Sequence, residues 1–164
     1  MRRVLHPLLL YKTPNPPILH DLRENPLAPD TVEFPLLQRR HNDLDFAQLA
    51  THPPTHTLRL YHPRLPWYID INQSHPNGVT VFDILTQMYE QLMQQITGRH
   101  YWNEDLEDVD RARLGTAFQE RCNGDRGLIA AGVRRVDFLE RRLLFEGLVR
   151  GRNGMWEIKA SKID

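Results

Sequence analysis

The sequence has a single cysteine, Cys122, so no disulfide can form within the chain. A reducing compartment, cytosol or nucleus, is the simplest expectation. There is no excess of either charge: 21 Lys and Arg balance 21 Asp and Glu. A neutral chain has no overall basic field to draw it to nucleic acid or an anionic membrane, and near-zero charge eases self-association, which points towards a homodimer. No apolar run approaches the roughly 20 residues of a membrane span. The start, Arg2-Arg3 then Val4-Leu5 and Leu8 to Tyr11, has the outline of a signal peptide. His6-Pro7 interrupts it, and no small-residue cleavage site follows. Phosphate-cradling glycine loops, a Gly-x-Ser-x-Gly elbow and cysteine zinc patterns are absent, so no cofactor is indicated. Those absences weigh against an enzyme without excluding one, since paired acids can be distant in sequence.

Proline and glycine divide the chain. All 12 prolines precede Gly78, and all 9 glycines lie at or after it. The first half is therefore stiff and poor in helix, because proline fixes φ and lacks a donor. The second half can use glycine for caps and turns. Neither half can close a core alone, so residues 1–164 are read as one domain: an extended arm over 1–17, a globular core over 18–160 and a tail over 161–164.

The strongest local signal is a helix between Gly78 and Ile96. Thr80 is a good N-cap, with Asp83 three residues on to complete a capping box. Val81, Ile84, Leu85, Met88, Tyr89, Leu92, Met93 and Ile96 recur at helical spacing as one apolar stripe. Asp83, Thr86, Gln87, Glu90 and Gln91 fall on the other face. Alternation predicts a strand pair over Leu58–Asn72, with Leu58, Leu60, Trp67, Ile69 and Ile71 on the face the helix covers. A second helix is expected from about Asn103 to Cys122, with a break near Asp108. Leu143–Val149 and Met155–Ala160 read as a hairpin through Asn153-Gly154. The expected fold is α+β: an antiparallel sheet, two main helices packed on one face, and a proline-rich N-terminal arm along the edge.

Two runs stand out, Gly78-Val79-Thr80-Val81-Phe82-Asp83 and Gly132-Val133-Arg134-Arg135-Val136-Asp137, together with Pro66-Trp67-Tyr68-Ile69, Phe145-Glu146-Gly147-Leu148 and a closing Trp156. In these the chain resembles, from about His6 to Ala160, a domain family of unknown function abundant in mushroom-forming fungi. The resemblance implies a small intracellular α+β domain. It supplies no activity and no site residues.

Candidate sites therefore come from residue chemistry. Arg59, Tyr61, Tyr68 and Asp70 are expected on the sheet face away from the helices, and tyrosine and arginine favour interfaces. The leading expectation is a non-catalytic protein-interaction domain with an unknown protein partner. The alternative is a small-molecule binder or hydrolytic enzyme with a pocket between arm and sheet, using His20, Asp21 and His62 with Tyr68. A third is RNA binding through the arginine-rich C-terminal region, where nine cations face four acids between Arg126 and Lys162. Nucleic acid is disfavoured by the neutral total. His52 and His56 have ligand spacing, but Pro53-Pro54 prevents a helix, so no metal site is assigned. The acidic run Glu104 to Asp110 reads as a helix start complementing the dipole, and Cys122 as a buried apolar residue.

Overall fold

The computed structural model describes residues 2–101 and 106–163. Its strands are β1 (Val4–Leu5), β2 (Leu19–Asp21), β3 (Val32–Glu33), β4 (Thr51–His52), β5 (Thr57–Tyr61), β6 (Ile69–Asn72), β7 (Arg142–Arg150) and β8 (Trp156–Lys162). Its helices are α1 (Asp43–Phe46), α2 (Val81–Leu92), α3 (Gly98–Tyr101), α4 (Asp108–Cys122) and α5 (Arg126–Ala131), with a 3-10 turn at Arg135–Leu139. Asn103, Glu104 and Asp105, the expected start of the second helix, lie outside the described residues.

The expected long helix is α2. Thr80 Oγ1 accepts from the Asp83 N–H and the Asp83 carboxylate accepts from the Thr80 N–H, closing the capping box. Val81, Ile84, Leu85, Met88 and Leu92 are each at most 1% exposed. They share one core with Leu58, Leu60, Ile69 and Ile71. Burying each such side chain stabilises by about 2 kcal/mol. The helix ends at Leu92, short of Gly98, which instead opens α3. The strand pair is extended and antiparallel as expected, Leu58 opposite Ile71 and Leu60 opposite Ile69. Trp67 lies before β6 and packs edge-on against Phe138.

The sheet departs from expectation in one respect. Its order is β3-β2-β7-β8-β5-β6, and β8 runs parallel to β5 while antiparallel to β7. The sheet is mixed, not simply antiparallel, because β8 of the closing hairpin lies between β7 and β5 and runs parallel to β5. Ser161 and Lys162, expected in a tail, belong to that strand. The second helix also differs. α4 rests on the 3-10 turn and α5 rather than on the sheet, and its buried Leu114, Ala117 and Cys122 lie outside the main core.

No loose arm forms either. β1 pairs with β4 in a small second sheet, and Leu5, Leu8 and Leu9 are core residues. The Leu148 N–H donates to the Leu9 carbonyl (2.7 Å), and the Tyr11 N–H donates to the Leu148 carbonyl (3.0 Å). This close crossing needs Gly147, which sits in a bulge of β7 at φ +130°. A Cβ there would stand 2.8 Å from the Leu9 carbonyl oxygen.

α2 also closes an edge. β6 is the outermost strand on its side. Gln87 Nε2 donates to the Asn72 carbonyl (2.7 Å), Gln87 Oε1 accepts from the Asn72 N–H (2.8 Å), and Gln91 Nε2 donates to the Asp70 carbonyl (2.8 Å). Side-chain amides thus take the place of a neighbouring strand and block edge pairing.

Two outcomes follow from these contacts. The Gln87→Ala/Gln91→Ala double variant should lose about 1–3 kcal/mol in urea denaturation and self-associate more by light scattering. Gly147→Ala should cost about 2 kcal/mol or more, and faster hydrogen exchange at Tyr11 and Leu148 would locate the damage at the crossing.

Candidate functional site

β5 and β6 bring the expected patch together. Arg59 and Asp70 are directly opposed and joined by two hydrogen bonds, Nε to Oδ1 at 2.7 Å and Nη2 to Oδ2 at 3.1 Å. The Arg59 guanidinium also lies 4.7 Å from the centre of the Tyr68 ring. Tyr61 donates its hydroxyl to Glu157 (3.3 Å) and is covered by Arg152 at 4.9 Å. These groups satisfy one another on the surface.

His20, Asp21 and His62 are not brought together. His20 is buried, and its Nδ1 donates to the Thr31 carbonyl at 2.7 Å. Asp21 accepts from the Arg23 backbone N–H (2.9 Å) and from its guanidinium (2.8 Å). His62 opens on a cleft that neither of them lines. Its Nδ1 accepts the Arg64 N–H at 3.0 Å. Burial, with the nearby Arg64, Arg142 and Lys159 charges, pushes its pKa down to about 4 against the partial offset of Glu157. Tyr68 does not line that cleft.

A larger concavity lies elsewhere, where three segments meet. It encloses about 580 Å³ between the 26–30 loop, the start of α1 and the N-terminus of α2, within the range of small-ligand sites. Each wall is fixed by its own sequence. In the loop, Asn25 Oδ1 accepts from the Leu27 N–H (2.9 Å), and the Thr31 hydroxyl donates to the Ala28 carbonyl (2.9 Å). At α1, Asn42 and Asp45 form a second capping box. Arg39 grips Asp45 with two hydrogen bonds and holds its carboxyl at about 2. Phe34, His41 and Phe46 pack edge-on, centres 5.2 to 6.1 Å apart. The Val81 N–H donates to the Gln48 carbonyl (2.9 Å), tying α2 to α1. Arg40 bridges back to Asp30 at 2.7 Å.

The lining mixes polar groups with apolar Pro26, Pro29, Phe46 and Ala47, and Leu27 and Phe82 on it are 57% and 38% exposed. Sequence reasoning missed this cleft. One signal was available: Phe82 is a large apolar residue off the buried stripe of α2. The Asn42-x-x-Asp45 cap was another. The loop supplying Leu27 gave none.

The polar groups do not form a proton relay. The Ser74 hydroxyl donates to the buried Asp83 carboxylate rather than to a histidine. His75 uses Nδ1 to accept the Asn77 N–H (3.1 Å), and the His41 ring packs on Phe34 and Phe46. Among the described residues no cluster of His, Cys, Asp or Glu is placed to hold a metal, and no helix is long and apolar enough to cross a membrane.

The arginine-rich stretch is divided: Arg134 donates to the Met93 carbonyl (3.0 Å), while Arg126, Arg141, Arg150 and Arg152 are exposed. Arg135, Arg150 and Arg152 lie 4.6, 4.8 and 4.9 Å from the rings of Trp67, Trp156 and Tyr61.

DUF6699, a family of unknown function, matches residues 18–154 of the chain. No curated protein matches, and no solved structure does.

The His62 shift has a consequence for stability. The folded state holds His62 neutral down to about pH 4, whereas an unfolded histidine takes up a proton near 6.5. Its contribution is complete above pH 6.5 and is lost as pH falls to 4. His62→Gln should flatten the pH dependence of urea midpoints across that window, and an unchanged slope would remove His62 as its source.

Proposed function

The chain belongs to DUF6699, a family of unknown function, and from that premise we propose that it is a non-catalytic protein-interaction domain. Its binding site is the cleft at the start of α2. The observation that carries this reading is the 580 Å³ concavity on whose mixed lining Leu27 and Phe82 are left exposed. The Arg59, Tyr61, Tyr68 and Asp70 face is the weaker site, because its charges and rings already satisfy one another and a partner would gain only rim contacts.

The occupant is a peptide segment of a partner protein. An apolar side chain packs on Leu27, Phe46 and Phe82, and a lysine or arginine beside it meets Asp43, an exposed acid on the lining with no ion pair among the described residues. Strand addition is disfavoured, since Gln87 and Gln91 already occupy the β6 edge. Tethered Ser74 and packed His41 leave a hydrolase reading without its base. The balance of 21 Lys and Arg against 21 Asp and Glu weighs against the RNA reading. The setting is the cytosol or nucleus of a fungal cell, where Cys122 stays reduced.

A phage-displayed random peptide library tests the reading. Selected peptides should share a large apolar residue next to Lys or Arg, and Phe82→Asp should weaken them at least tenfold by calorimetry. Asp43→Asn should weaken them about threefold while the thermal midpoint holds. Peptides that bind Phe82→Asp as well as the parent protein would overturn it.

A further inference from the structure

The helix α2 carries a second apolar line besides the one it buries. Phe82, Tyr89 and Met93, at i, i+7 and i+11, fall on one helix face with Thr86 between them. Phe82 is exposed, and Thr86, Tyr89 and Met93 are half-buried. The line joins two different surfaces. At its start Phe82 lines the cleft together with exposed Leu27 and Asp43. At its end Tyr89 and Met93 line a smaller cleft with Leu128 of α5.

α5 has no buried residue. Its Leu128 and Ile129 are 36% and 40% exposed. Arg126 precedes Ile129 by three positions, so a cation and an apolar side chain share one helix face. Arg126 is exposed and has no ion pair among the described residues. An apolar residue beside an unpaired cation is the chemistry the cleft would take, with Asp43 as its counter-charge. Yet α5 lies far from the cleft of its own chain. Gln95 Nε2 donates to the Ala131 carbonyl, which ties α5 near the C-terminal end of α2. The cleft lies at the other end of that 12-residue helix, about 18 Å away.

Resting on the cleft reading, we propose that the partner is a second copy of this chain. Two copies lay their α2 helices antiparallel across a two-fold axis near Thr86 and Tyr89, and each places its α5 in the other's cleft. Phe82 of one copy then meets Met93 of the second, and Arg126 of each meets Asp43 of the other. Such a contact is isologous and closes at two copies, instead of running on as a filament. The charges complement one another twice. The copies also carry no net charge to hold them apart, with 21 Lys and Arg against 21 Asp and Glu. The apolar line on α2 makes the two reciprocal contacts one continuous surface, which a stable dimer needs.

Sedimentation equilibrium of the whole chain over a dilution series is the test. A monomer–dimer equilibrium is expected, with no higher species. Ile129→Asp should weaken dimerisation at least tenfold while the thermal midpoint of the dilute monomer holds. It should also tighten the binding of the selected peptides, because the cleft loses its competing occupant. Asp43→Arg and Arg126→Asp should each weaken self-association at least tenfold, since like charges then meet in both contacts. An equimolar mixture of these two variants should dimerise again, because every contact then pairs opposite charges. A misfolded variant would not give that recovery. A chain monomeric at millimolar concentration would overturn the proposal, as would a dimer indifferent to Ile129→Asp or a mixture of the charge variants that stays monomeric. If that monomeric chain still binds the selected peptides, self-pairing fails and the cleft reading stands.

Discussion

The junction of α2 with β6 is the contact on which the rest of the molecule depends. One face of the helix buries an apolar stripe against the inner face of the sheet. The adjoining face sends Gln87 and Gln91 to the backbone of the edge strand. The two sets act in different ways. Apolar burial supplies most of the stabilisation but sets no register, since grease slides. The amides are directional and fix the helix along the strand axis to within a hydrogen bond. Because Asp83 at the same helix start accepts from both Thr80 and Ser74, the turn between β6 and α2 is held from both ends. The cleft wall bearing Phe82 is therefore part of a rigid element.

A second theme is the use of arginine as a flat plate. Arg59, Arg135, Arg150 and Arg152 each lie within 5 Å of an aromatic ring centre. In that position the guanidinium keeps its edge hydrogen-bonding groups while its face covers apolar surface, which a lysine cannot do. Each guanidinium keeps its charge in that position. Arg142 and Lys162 are the contrast. They sit on paired strands with no ring contact or ion pair among the described residues.

The helix α2, its cap, the Leu58–Asn72 pair and the closing hairpin at Asn153-Gly154 were legible in the sequence, because each depends on interactions within a few residues. Asn153 and Gly154 adopt φ of 54° and 74°, the left-handed values that a tight hairpin demands and that this dipeptide tolerates. The cleft was barely legible. Its walls come from positions near 27, 42, 75 and 82, and only a folded chain shows that they meet. Of the expected site residues, Arg59, Tyr68 and Asp70 do cluster, since strand pairing alone brings them together. His20 and His62 do not, because their separation depends on sheet order.

By itself the sequence determined periodicity, caps, turn chemistry and the neutral balance of charge, all of which are set by neighbours along the chain. Tertiary structure alone decided that β8 enters beside β5 in parallel, that Leu9 to Tyr11 cross β7 at Gly147, and that α4 packs on α5 and the 3-10 turn. Those outcomes rest on pairings between residues about 100 or more apart, or on which apolar surface remains after others are filled. Local propensity carries no information about either.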